Sequence, residues 1–121
     1  MKILVVDDSK VMRKLVTRAI RQAGFEDAEV IEAEDGQEAL DVARREMPKL
    51  ILADWNMPNM TGIEMLQALR AEGDTVKVAF VTSESSAAIR QEADAAGASF
   101  FLSKPINPDQ LAEAMRSKVL R

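Results

Sequence analysis

The sequence predicts an α/β domain: a doubly wound sheet of five parallel strands with helices on both faces. Two observations carry that prediction. Short, unbroken apolar runs recur along the chain, such as ILVV at residues 3–6 and LILA at residues 50–53. They are too short for helices and lack the alternation of a sheet with one wet face, so they read as strands buried on both sides. Between them lie stretches of helical apolar spacing, long enough for right-handed crossovers between parallel strands. A third observation concerns where the runs stop. Four of them end in polar groups, at Asp7-Asp8, Asp54, Thr82 and Lys104.

The first strand covers residues 3–6, and Ser9 is placed to cap a helix from about Lys10 to Gln22. Val11, Met12, Leu15, Val16, Ala19, Ile20 and Ala23 repeat there at helical spacing, while Arg13, Lys14, Arg18 and Arg21 read as a solvated face. Gly24 ends that helix. Ala28 to Ala33 is a second strand, Asp35-Gly36 a turn, and Gln37 to Glu46 a helix burying Ala39, Leu40 and Ala43 before Pro48. The third strand delivers Asp54 to a loop containing Pro58 and Gly62, after which a helix with Ile63, Leu66 and Leu69 runs to Gly73.

Lys77 to Thr82 is the fourth strand. The helix near Ser86 to Ala96 has Ile89 as its one large apolar residue among alanines, which support helix but bury little, so loose anchoring is expected. Ser99 to Ser103 is the fifth strand. Asn107 and Pro108 then open a last helix burying Leu111, Met115 and Val119.

Composition narrows the chemistry. The 121 residues suffice for one domain. A net charge of −4 lacks the basic excess that nucleic-acid or anionic-membrane binding requires. Neither Cys nor His is present, so thiolate sites and the commonest general base are excluded, leaving carboxylates, Lys and hydroxyls. Carboxylate sites favour hard cations such as Mg²⁺. The start does not read as a signal peptide, and no apolar run approaches about 18 residues, so a cytoplasmic location is expected. The seven Met residues read mostly as core filler, and Trp55 as a flank beside Asp54.

Each polar strand end has an ordinary explanation when taken singly. Asp7-Asp8 would favour the positive end of the first helix, Asp54 and Thr82 would begin turns, and Lys104 would be a surface lysine. Together they point to a site, because parallel strands bring their carboxyl ends to one edge.

VVDDS at the first strand end, DWNMPNMTG at the third, VTSES at the fourth and FFLSKP at the fifth match in identity and in spacing. On these motifs the chain resembles the receiver domains of two-component response regulators, specifically the CheY type, along its whole length. The resemblance implies a flavodoxin-like strand order of 2-1-3-4-5 and one receiver domain over residues 1–121 with no output domain. It implies that Asp54 accepts a phosphoryl group from a histidine kinase. Asp7, Asp8, Asp54 and the backbone carbonyl of Asn56 would hold Mg²⁺, Asp7 directly or through a water. Lys104 would pair with a phosphoryl oxygen, and the Lys104-Pro105 bond would be cis.

Thr82 and Phe101 would form the switch, and Asn56 and Glu84 would tune the lifetime of the phosphoryl group. The expected output is a downstream protein bound at the face of the fourth helix, fifth strand and fifth helix, in chemotaxis or motility. A monomer is expected, and a switch with slow self-dephosphorylation, not a turnover enzyme. Phe101 stands where chemotaxis receivers usually carry Tyr, and Ser86 and Ala87 replace lysines of the enteric pattern. Both departures lie on the output face and bear on motor binding, not on phosphorylation.

Three alternatives compete with this expectation. A haloacid-dehalogenase-type phosphatase also uses Asp, Lys, Thr and Mg²⁺, but it spaces its acids as Asp-x-Asp on the first strand, whereas here they are adjacent. A flavodoxin-like cofactor carrier would need a hydroxyl- and glycine-rich phosphate loop where two carboxylates stand. A receiver serving a phosphorelay or stress signalling is the third.

Overall fold

The computed structural model describes residues 1–84 and 86–120; Ser85 of the VTSES motif and Arg121 lie outside the described residues. Strand and helix alternate as β1 (Lys2–Val6), α1 (Lys10–Gln22), β2 (Glu29–Ala33), α2 (Gly36–Glu46), β3 (Leu50–Ala53), α3 (Gly62–Ala71), β4 (Lys77–Thr82), α4 (Ala87–Ala95), β5 (Phe100–Ser103) and α5 (Pro108–Lys118). All four pairings are parallel, and the order is β2-β1-β3-β4-β5.

Because side chains alternate across a strand, β1 sends Leu4 and Val6 to one face and Ile3 and Val5 to the other. Leu4, Val6, Ile51 and Phe80 pack with Leu40 of α2, Leu66 of α3 and Ala93 of α4. Ile3, Val5, Leu50 and Leu52 pack with Val16 and Ile20 of α1 and with Leu111 and Met115 of α5. Each fully buried side chain of this kind contributes roughly 1.5–3 kcal/mol of transfer free energy. The central strands β1 and β3 are therefore the most apolar stretches, and the edge strand β2, half-covered, carries the weakest apolar signal.

Local chemistry sets the helix ends. Ser9 caps α1 by accepting from the Met12 N–H at 3.2 Å, and Asn107 caps α5 by accepting from Asp109 and Gln110. Thr61 and Glu64 close a reciprocal capping box on α3. Asp35, expected in a turn, is the N-cap of α2, so that helix starts at Gly36, one residue early. Met47, at φ 50°, is its left-handed C-cap. Ser86 caps α4, where Ala93 is the one fully buried residue, in keeping with loose anchoring.

One expectation fails on α1. Val11 and Leu15 are 66% and 43% exposed, while Arg13, read as part of the solvated face, is buried at 7%. The first turns of α1 lie beside the polar carboxyl end of the sheet, so the inward slot there holds a guanidinium with acceptors in place of a hydrocarbon. The buried stripe therefore runs Arg13, Val16, Ala19 and Ile20. Lys104-Pro105 is cis. Among the described residues no helix is long and apolar enough to cross a membrane.

Candidate functional site

Register brings the acids together. Val6 pairs with Ala53, so Asp7 and Asp54 follow side by side, and the Asp54 N–H donates to the Val6 carbonyl at 3.0 Å. Thr82 pairs with Ser103, which places Lys104 one step beyond; its N–H donates to the Thr82 carbonyl at 2.9 Å. Four strand ends thus meet at one edge of the sheet.

Lys104 Nζ donates to Asp7 Oδ2 at 2.8 Å and to Asp54 Oδ2 at 3.3 Å. Asp7 is buried, Asp54 half-buried and Asp8 exposed, yet each offers a carboxylate oxygen within 4.8 Å of the others. Burial of Lys104 disfavours its charge, but the hydrogen bond to Asp7 and the charges of Asp54 and Asp7 outweigh it, leaving the ammonium pKa raised. Three carboxylates face one lysine, an excess of negative charge that a further cation would relieve. Asp7 Oδ1 accepts from the Ser9 N–H at 2.9 Å and Asp54 Oδ1 from the Trp55 N–H at 2.8 Å.

The loop after β3 is held from below. A Cβ on Gly62 would lie 2.5 Å from the Asp54 carbonyl oxygen, so only glycine allows this approach. Trp55 is more than a flank: it is buried and packs edge-to-face on Phe80, with centroids 5.1 Å apart. Farther along, Asn59 takes φ 68° and its Nδ2 donates to Asp35 Oδ2 at 3.0 Å, tying this loop to the start of α2.

Around the notch, Asn56 Nδ2 donates to Glu84 Oε1 at 3.0 Å, linking the loops after β3 and β4. Thr82 is buried, and its hydroxyl oxygen accepts from the Glu84 N–H at 3.1 Å. Phe101 is half-buried against the core, with the Arg90 guanidinium 4.8 Å from its ring centroid. Seven of the eight residues singled out in the sequence therefore lie at or beside this edge, and Phe101 lies within β5, two residues before its end and level with Phe80. Arg13, Glu32, Asp35 and Asn59 were not anticipated. A signal existed for the last, since Asn tolerates positive φ and follows a proline.

With this geometry in place, the family model of the response regulator receiver domain matches residues 3–116. The chain belongs to that family. It is 38% identical over 118 residues to a chemotaxis protein CheY homologue of Campylobacter jejuni, spanning 95% of this chain and 89% of that one. The structure of the Vibrio cholerae chemotaxis protein CheY4 is similar at a TM-score of 0.84 and 37% identity, covering 97% of both chains. The signal receiver domain of the response regulator NarL from Mycobacterium tuberculosis superposes at a TM-score of 0.85 with 29% identity, covering 96% and 93%. The protein is a CheY-type receiver, a phosphorylation-dependent signalling switch, and neither the phosphatase nor the cofactor-carrier alternative gains support from these matches.

Proposed function

We propose that Asp54 is the phosphoryl acceptor of this receiver, charged by a phosphohistidine kinase or a small acyl phosphate, with Mg²⁺ held by Asp7, Asp8, Asp54 and the Asn56 carbonyl. The observation that supports this most is the convergence of the three carboxylates within 4.8 Å beside Lys104. An all-oxygen donor set in a chain without His or Cys fits a hard cation. When bound, Mg²⁺ neutralises charge between an anionic nucleophile and an anionic phosphoryl group.

Asp54 would attack as a carboxylate, a nucleophile that needs no general base to remove a proton as a hydroxyl does. An Asp54 oxygen forms the new P–O bond as the bond from phosphorus to the donor breaks, the electron pair leaving with the donor. Lys104, held as a cation, takes up charge on a phosphoryl oxygen. Accepting from the Glu84 N–H leaves the Thr82 hydroxyl proton free to be donated to that group.

Drawing Thr82 toward the phosphoryl group opens space into which Phe101 turns from beneath Arg90, so α4, β5 and α5 present a different face to a downstream partner. This is a population shift biased by a group of about −1.5 to −2 charge. Asn56 and Glu84 flank the path of the hydrolytic water and set the rate of reset. The similarity to chemotaxis proteins favours an output in chemotaxis or motility, performed by a cytoplasmic monomer.

Incubation with a small acyl phosphate and Mg²⁺ tests the proposal. A phosphate-sized mass gain is expected, prevented by EDTA and absent in Asp54→Asn; uptake that persists in Asp54→Asn overturns it.

A further inference from the structure

Among the described residues, three polar or charged side chains are buried: Asp7, Thr82 and Arg13. The first two belong to the site already described. Arg13 does not touch it through any side chain, yet its guanidinium is anchored at two points. Nη1 donates to the Asp7 backbone carbonyl at 2.7 Å, and Nε donates to Glu32 Oε1, on β2, at 2.8 Å.

We propose that Arg13 is a positioning residue for the Asp7–Asp8 pair and that Glu32 holds it in place. This inference rests on the reading of Asp7 and Asp8 as cation ligands. The Asp7 carbonyl and the Asp8 N–H belong to one rigid peptide plane. Gripping that oxygen fixes the rotation of the plane, and so the direction in which the Asp8 side chain leaves the backbone. Asp7 itself is already determined: its N–H donates to Ala33, one carboxylate oxygen accepts from Ser9 and the other from Lys104. Asp8 is exposed, and its place within 4.8 Å of the other two carboxylates depends on that plane.

A planar guanidinium can serve a carbonyl and a carboxylate at once with fixed geometry, which a single ammonium on a flexible stem cannot. Arg13→Lys, which preserves the charge, should therefore still lose the function. The direction of the effect separates positioning from simple electrostatics. Removing a cation near three carboxylates would tighten Mg²⁺ binding if charge were all that mattered. Loss of aim weakens it.

The experiment is Mg²⁺ titration by calorimetry of the wild type, Arg13→Lys, Arg13→Met and Glu32→Gln, with Ile20→Val as a variant that perturbs the α1 core without touching the loop. Amide hydrogen exchange at Asp8 and Ser9 is followed in the metal-free proteins. Both Arg13 variants should bind Mg²⁺ roughly ten- to a hundredfold more weakly, the usual range for losing a group that orients a metal ligand. Exchange at Asp8 and Ser9 should quicken, and Glu32→Gln should show a smaller loss in the same direction. If Arg13→Lys does not fold, Glu32→Gln, altered at a half-exposed side chain, still decides the question. Unchanged or tighter binding in the folded variants overturns the role of Arg13, as does an equal weakening in Ile20→Val. A wild type that binds no Mg²⁺ overturns the metal reading itself, a separate failure.

Discussion

Replacing Gly62 with Ala tests how the loop after β3 aims Asp54. The added Cβ would lie 2.5 Å from the Asp54 carbonyl oxygen and 2.6 Å from Phe80 Cε1. Carbon contacts are comfortable near 3.5–4.0 Å, so the overlap is about 1 Å on both sides. Neither neighbour gives way easily. Phe80 is fully buried and braced by Trp55, and the Asp54 oxygen is part of the strand end. Overpacking of this kind costs about 1–3 kcal/mol, and a backbone partner puts Gly62→Ala at the upper end. Better helix propensity at the first residue of α3 returns up to about 1 kcal/mol. The net loss is then about 2 kcal/mol, a fall in Tm of roughly 6–10 °C for a domain of this size. Urea unfolding followed by Trp55 fluorescence should show a lower midpoint with an unchanged slope, and phosphoryl uptake should slow because Asp54 moves. Gly36→Ala is the comparison: its Cβ would meet the Met60 side chain at 2.9 Å and the Met60 carbonyl oxygen at 3.0 Å, smaller overlaps that do not involve Asp54, and it should spare uptake. A Gly62→Ala protein within about 0.5 kcal/mol of wild type, with normal uptake, would show that the close approach at Gly62 does not aim Asp54.

Three further outcomes are expected. Asn56→Met breaks the bond to Glu84 and should lengthen phosphoryl lifetime about tenfold, some 1.4 kcal/mol of lost positioning; unchanged decay after donor removal would contradict it. Mg²⁺ should alter the fluorescence of Trp55, the one tryptophan, whose backbone N–H donates to Asp54 Oδ1; a silent titration alongside calorimetric binding would count against the site. Lys104 has a folded pKa raised above its usual 10.5, so its contribution to stability is full below 10.5 and lost as pH rises through the folded value. Chemical denaturation between pH 8 and 12 should show that loss in wild type and not in Lys104→Met; parallel curves would disprove it.

Much of the fold is legible because its signals are local. The buried runs of β1 and β3, the caps Ser9 and Asn107, and the stop at Gly24 each depend on a few adjacent residues. Strand order is not local, and it came from the family resemblance. Arg13 was misplaced because stripe reasoning assumes an apolar interior, and the interior beside the carboxyl ends is polar. Asp35 reads as a turn residue; in the fold one carboxylate oxygen caps α2 by accepting from the Glu38 N–H, and the other is bound by Asn59, 24 positions away, which no local pattern shows. The pairing of Lys104 with Asp7 spans 97 positions. Spacing carries nothing of such a contact; it follows from five strands ending at one edge.

The proposed function requires one particular carboxylate, Asp54, to carry the phosphoryl group. Borohydride reduction of an acyl phosphate leaves homoserine where the aspartate stood, and peptide fragmentation reads the position. After brief phosphorylation in Mg²⁺, homoserine is expected at position 54 alone. Homoserine at position 7 or 8, on the first strand's end as a phosphatase of the dehalogenase type would give, would contradict it.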